Sequence, residues 1–162
     1  MSIAETMLPE FDDEMARTRK VLALVPQEKM DWQAGPELRS IGWNANHLAD
    51  MVTWSKGIIE ESEFDFAPVD GPPHQTPAEG NPATVLANFD TAVAEARKLL
   101  ADASDETLAE NWELKMGGQT LQSLTKGACI RKWILNHTIH HRAILSVYLR
   151  MCGVEVTPVY NE

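Results

Sequence analysis

Asn136-His137-Thr138-Ile139-His140-His141-Arg142 lies near the C-terminal end of a proline-free run, residues 124–152, in which apolar side chains return every three or four positions. That spacing predicts a helix with one buried face. At about 100° per residue, Ile130, Trp133, Ile134, Ile144, Leu145 and Tyr148 point one way. By the same geometry His137 and His141 fall within about 20° of the centre of the stripe, and His140 about 80° from it, at the edge. Two imidazoles one turn apart on a core-facing stripe either converge on one metal ion or are satisfied by hydrogen bonds within the core. Spacing alone leaves both readings open.

A third histidine shifts the balance. His47 lies in a second periodic segment, residues 40–61, where Trp43, Met51, Trp54 and Ile58 all fall within about 40° of it. Neutral imidazole buried among such side chains loses hydration unless its nitrogens find partners. Three of them on two core faces point to a shared ligand. A three-histidine set with open positions is the pattern of a catalytic divalent metal, not of a closed structural one. Zinc, nickel, iron and manganese all accept these ligands, zinc or nickel being the expected pair.

These residues also carry a resemblance. The run 136–142, followed by Ser146-Val147-Tyr148-Leu149-Arg150 and Gly153, resembles the C-terminal helix of the DinB-like (YfiT-like) superfamily of four-helix-bundle metalloenzymes. Arg39-Ser40-Ile41-Gly42 leading to His47-Leu48-Ala49-Asp50 resembles its second helix with the single ligand histidine, and residues 156–160 its extended tail. One departure stands out: many members follow the His-His-Arg with Gly-Gln, where this chain has Ala143-Ile144. The resemblance implies an all-α, antiparallel four-helix bundle with long connections, one divalent metal on His47, His137 and His141, and a homodimer. It also implies a thiol-dependent S-transferase activity using a low-molecular-weight thiol. A metal-dependent hydrolase and a non-enzymatic metal-binding bundle are the alternatives.

The remaining chain fits one domain over 1–162, of ordinary hydrophobic content. A net charge of -10 argues against a nucleic-acid surface, and no run reaches the length of a membrane span. A small-molecule substrate is the expected partner. No signal peptide is visible, so a cytoplasmic protein is expected. Cys129 and Cys152 lie about 34 Å apart on one predicted helix, too far to bridge.

A first helix is expected over 7–25, with Leu8, Phe11, Met15, Thr18, Leu22 and Val25 on its seam and Asp12-Asp13-Glu14 on a solvated face. Ser2…Glu5 resembles a capping box, whereas Pro9 fits best in a first turn. Trp32 reads as an anchor in the connection that follows, and Ser40 as the N-cap of the second helix. Asp50 sits about 60° from His47 and either lines the site or forms an exposed salt bridge. Arg142 either meets a substrate carboxylate or forms a structural ion pair. The loop 64–81, rich in proline, is long enough for a lid, and its His74 reads as a solvated loop residue. Asn81-Pro82 predicts the start of a third, structural helix carrying Leu86, Phe89, Val93, Ala96 and Leu100. Residues 112–116 alternate, and Gly117-Gly118 suits a short hairpin before the last helix. Gly153 suits its C-cap.

Overall fold

Helix α1 (Ile3–Leu22) begins where Ser2 and Glu5 close a reciprocal capping box. The computed structural model, which describes residues 1–160, therefore starts this helix before the expected residue 7. Pro9 falls in its second turn, not the first, and forgoes one backbone bond there. The buried face carries Met7, Phe11, Met15, Thr18 and Leu22 close to expectation. Helix α2 (Ile41–Glu60) starts at Ser40, whose hydroxyl accepts from Trp43 N at 3.0 Å. Its first turn is held by Met30, whose carbonyl accepts from Gly42 N at 2.7 Å. A Cβ at Gly42 would lie 2.8 Å from that oxygen, so only glycine allows this approach.

After α2 comes strand β1 (Glu63–Asp65), then an irregular connection to α3 (Pro82–Asp102), capped by Asn81 with proline in its first turn. A short helix α4 (Asp105–Ala109) leads into β2 (Asn111–Met116) and β3 (Gln119–Thr125). Gly117 and Gly118 join those strands with φ of +60° and +77°, the two positive values that a two-residue hairpin turn of this kind needs. The hairpin was legible, but β1 was not. It pairs in parallel with β2 through Glu63, Phe64 and Asp65. The fold is thus mostly helical with a three-stranded sheet, and the all-α expectation is corrected. Three residues directly after a helix carry no alternation to read, and a parallel partner some fifty positions away leaves no local trace.

The last helical run has no break from residue 126 to 151, but it changes character twice. Helix α5 (Lys126–Cys129) is capped by Thr125, a π-helical stretch occupies Ile130–Asn136, and α6 (His137–Met151) completes it. The run starts at Lys126 because β3 takes the residues before it. It closes in a Schellman motif, with Gly153 N bonded to the Arg150 carbonyl and Val154 N to that of Leu149. Gly153 has φ of +82°.

Helices α1 and α2 each pack against both α3 and α6, so four long helices surround one core. Among the described residues no helix is long and apolar enough to cross a membrane. The buried stripe of α6 runs through Thr138, Arg142, Leu145 and Leu149, which places His137 and His141 on its shoulder instead of at its centre. The single α-helical phase carried through from Ile130 fails because the π stretch intervenes. Arg142 is inside the core, 2 % exposed. Its Nη1 lies 2.6 Å from Glu14 Oε2 and its Nη2 donates to Tyr160 Oη at 2.7 Å. The structural reading of Arg142 holds, and Glu14 leaves the solvated face expected of Asp12-Asp13-Glu14 to pair with it. Trp32 does anchor its connection, edge-on to Tyr148 with ring centroids 5.7 Å apart.

Candidate metal centre

Two helices bring the three imidazoles together. His47 is in the middle of α2, and His137 and His141 are on successive turns of α6, directly after the π-helical stretch. Widened turns of that sort recur at functional sites because they re-aim the side chains that follow. Ring centroids are 5.1 Å apart for His47 and His137, 4.5 Å for His47 and His141, and 4.8 Å for His137 and His141. One nitrogen from each lies within 4.8 Å of the others, a grouping able to hold a metal ion. His140 is exposed and stands outside that group.

Outer contacts decide which nitrogens are available. His141 Nδ1 lies 3.1 Å from Asn44 Oδ1, an oxygen that can only accept, so Nδ1 carries the proton. Asn44 cannot be turned the other way round, because its Nδ2 donates to the Ser40 carbonyl at 2.9 Å. His47 Nδ1 is 2.9 Å from Thr76 Oγ1. His141 thus offers Nε2 to the common point, and His47 does so when its Nδ1 donates to the Thr76 hydroxyl, the Nδ1 side of each ring being tied down as metal-binding histidines require. His137 Nδ1 is buried without a hydrogen bond of normal geometry. The Trp133 carbonyl a turn back pulls its pKa up only weakly, against burial and His140, which together push it down.

Burial is the main cause of low basicity throughout the group. It pushes His47 down to about 3, helped by the charges of His141 and His137, and His141 down to about 4, helped by His137 and His140. At neutral pH all three lone pairs are free of protons. Three neutral, converging nitrogens with their far sides tethered or enclosed form a donor set that fits a borderline divalent ion and leaves its charge uncompensated.

A cavity of about 1010 Å3 opens beside this group and is lined by His47 and His137. Trp43 stacks on His47 with centroids 4.5 Å apart, and Trp54 meets it edge-on at 5.6 Å. The connection between β1 and α3 runs over the site and is pinned at three points. His74 Nε2 contacts Asp50 Oδ2 at 2.8 Å, Thr76 contacts His47, and the Glu79 backbone exchanges hydrogen bonds with the Asn46 side chain at 2.9 and 3.1 Å. His74 also packs edge-on against Trp54 and lines the cavity; it is an exposed loop residue as expected, but one held at the rim of the site. Asp50 does not touch the three-histidine group; it holds His74. Asn44 and Thr76 escaped the sequence reading. Asn44 lies 97 positions from His141, and nothing in a proline-rich loop marks Thr76 as facing a histidine.

A family model described as the DinB superfamily matches residues 10–145. Among solved structures, a DinB-like protein of Bacillus cereus is 22% identical with a TM-score of 0.71, over 96% of this chain and 97% of that one. A DinB-like protein of Bacillus subtilis is 14% identical with a TM-score of 0.69, over 94% and 95%. YfiT of Bacillus subtilis, described as a probable metal-dependent hydrolase with an unusual four-helix bundle topology, is 15% identical with a TM-score of 0.68, over 94% and 89%. At these identities the likeness is one of fold. Among curated proteins no sequence matches.

Proposed function

This chain belongs to the DinB superfamily, and from that premise we propose that it is a metal-dependent hydrolase of small organic molecules, with His47, His137 and His141 holding one divalent ion, zinc or nickel. The observation that carries this reading is one cavity lined by His47 and His137 of the three-histidine group and by His74, whose Nε2 is held by Asp50. The Asp50 carboxylate accepts from His74 Nε2, which leaves Nδ1 as the basic nitrogen. Among the described residues Nδ1 has no partner, so His74 can take a proton there and return it to a leaving group. Asn44 fixes the tautomer of His141 and Thr76 holds the orientation of the His47 ring, while Trp43 and Trp54 pack around His47. A divalent ion in this group supplies Lewis-acid activation and favours the deprotonated form of a bound water or thiol. The description of YfiT supports the same class of chemistry.

Thiol-dependent S-transfer is the second reading, and the size of the cavity favours it. About 1010 Å3 is at the upper end of the roughly 300–1,000 Å3 that a single small ligand occupies, leaving space for a thiol beside an electrophile.

Metal titration and turnover of variants test both. His47→Ala, His137→Ala and His141→Ala lose most of the metal, while His140→Ala keeps it. His74→Gln keeps its metal but loses about 10²-fold or more in kcat on an ester and amide panel. A His74→Gln variant as active as its parent removes the dyad from the chemistry. Conjugation of a low-molecular-weight thiol to a generic electrophile, with no ester or amide cleaved, replaces hydrolysis by S-transfer.

A further inference from the structure

The geometry points to a substrate class: a flat, ring-bearing organic acid, its rings against the tryptophans of the cavity and its carboxylate on Arg39. This inference deepens the hydrolase reading and rests on it only for which end of the molecule reacts. The walls are aromatic to an unusual degree, since four of the five tryptophans of the chain line the cavity: Trp43, Trp54, Trp112 and Trp133. Phe64 and Phe66 join them. Rigid π faces on several sides favour planar apolar ligands, whose ring contacts add to simple area burial. A flexible or strongly hydrated molecule of the same volume gains nothing from them.

Arg39 is the second observation. The molecule carries a net charge of -10, and its other arginines have acceptors close by. Arg17, Arg19, Arg97, Arg131 and Arg142 are in ion pairs with carboxylates, and Arg150 donates to the Val156 carbonyl. Arg39 alone, among the described residues, has no acceptor; its guanidinium lies over the Trp43 ring at 4.9 Å and lines the cavity. In so acidic a protein, a guanidinium left free of carboxylates at the edge of an aromatic cavity is available to an incoming one. Its planar fork matches a carboxylate in two parallel hydrogen bonds.

Position links the two features. Arg39 lies just before the N-cap of α2, Trp43 and His47 lie four residues apart within the helix, and Trp43 contacts both Arg39 and His47. An acid held by Arg39 with its rings along Trp43 therefore extends toward His47 and the metal group. In the metal-free cavity Arg39 is the only arginine or lysine of the lining, so it selects one negative charge there, and the apolar walls exclude a second.

Calorimetric titration of 2-naphthoate against the neutral isostere 2-naphthamide tests this, first on metal-free protein, where Arg39 is the reader of charge, and then on zinc-loaded protein. The acid binds the metal-free protein about threefold to fivefold more tightly than the amide, as one ion pair on an exposed guanidinium provides. Arg39→Gln brings the two ligands level with unchanged melting temperature and metal content, and Arg39→Lys restores part of the preference. Leu121→Glu, an exposed wall position, weakens both ligands. Equal binding of acid and amide to the parent, no binding of either, or a preference that survives Arg39→Gln overturns the inference. A failure of the metal site instead appears as absent zinc binding, with the metal-free comparison intact.

Discussion

Replacing Asn44 with alanine tests whether the tautomer of His141 is what makes the three-histidine group competent for metal. Asn44 is 2 % exposed and serves two neighbours at once, accepting from His141 Nδ1 at 3.1 Å and donating to the Ser40 carbonyl at 2.9 Å. Removing it frees the ring to turn or to shift its proton to the nitrogen that faces the other two imidazoles, and either change withdraws a lone pair. Loss of such an outer contact costs about 10- to 100-fold in metal affinity, equivalent to roughly 1.4–2.7 kcal/mol. The buried groups left without partners cost about 1–3 kcal/mol of folding stability as well. Competition against a chromophoric chelator reads the first quantity, and urea denaturation of metal-free protein reads the second. The two must be measured separately, since a merely weakened fold would lower stability and leave the affinity of the folded fraction unchanged. Metal affinity within about threefold of the parent, with the stability loss present, would show that His141 is held by its helix and that Asn44 is only a packing residue.

Two further outcomes follow from buried charge. Arg142→Ala leaves Glu14 unpaired beneath Tyr160 and should lower unfolding stability by about 3–5 kcal/mol; joint replacement of both residues by leucine should recover most of that in urea denaturation. Metal-free protein should lose stability as pH falls from about 6.5, the unfolded histidine value, toward the folded values of about 4 for His141 and about 3 for His47. Over that window the unfolded chain binds more protons than the folded one, so acid favours unfolding. His47→Gln should show a shallower decline in melting temperature between pH 6.5 and 4 than the parent, and parallel profiles would refute the assignment.

The order of the four long helices and the histidine group were legible because both are periodic and local. Ser40, Asn81-Pro82, Gly117-Gly118 and Gly153 each mark a boundary through the chemistry of one or two residues, and the structure uses all of them as read. His47, His137 and His141 could be singled out because imidazoles recurring on apolar faces are costly without a shared partner. What depended on tertiary structure has no local period. The π turn at Ile130–Asn136 moved the buried stripe onto Arg142, and no apolar spacing distinguishes it from an α turn. Whether Arg142 faces a ligand or Glu14, that His74 finds Asp50, and which oxygen fixes His141 are pairings across 128, 24 and 97 positions. Each side chain has the same local neighbours under either outcome. Only the packing of α1, α2 and α6 around one core selects the partner, because it decides which polar groups lose water together and must satisfy one another.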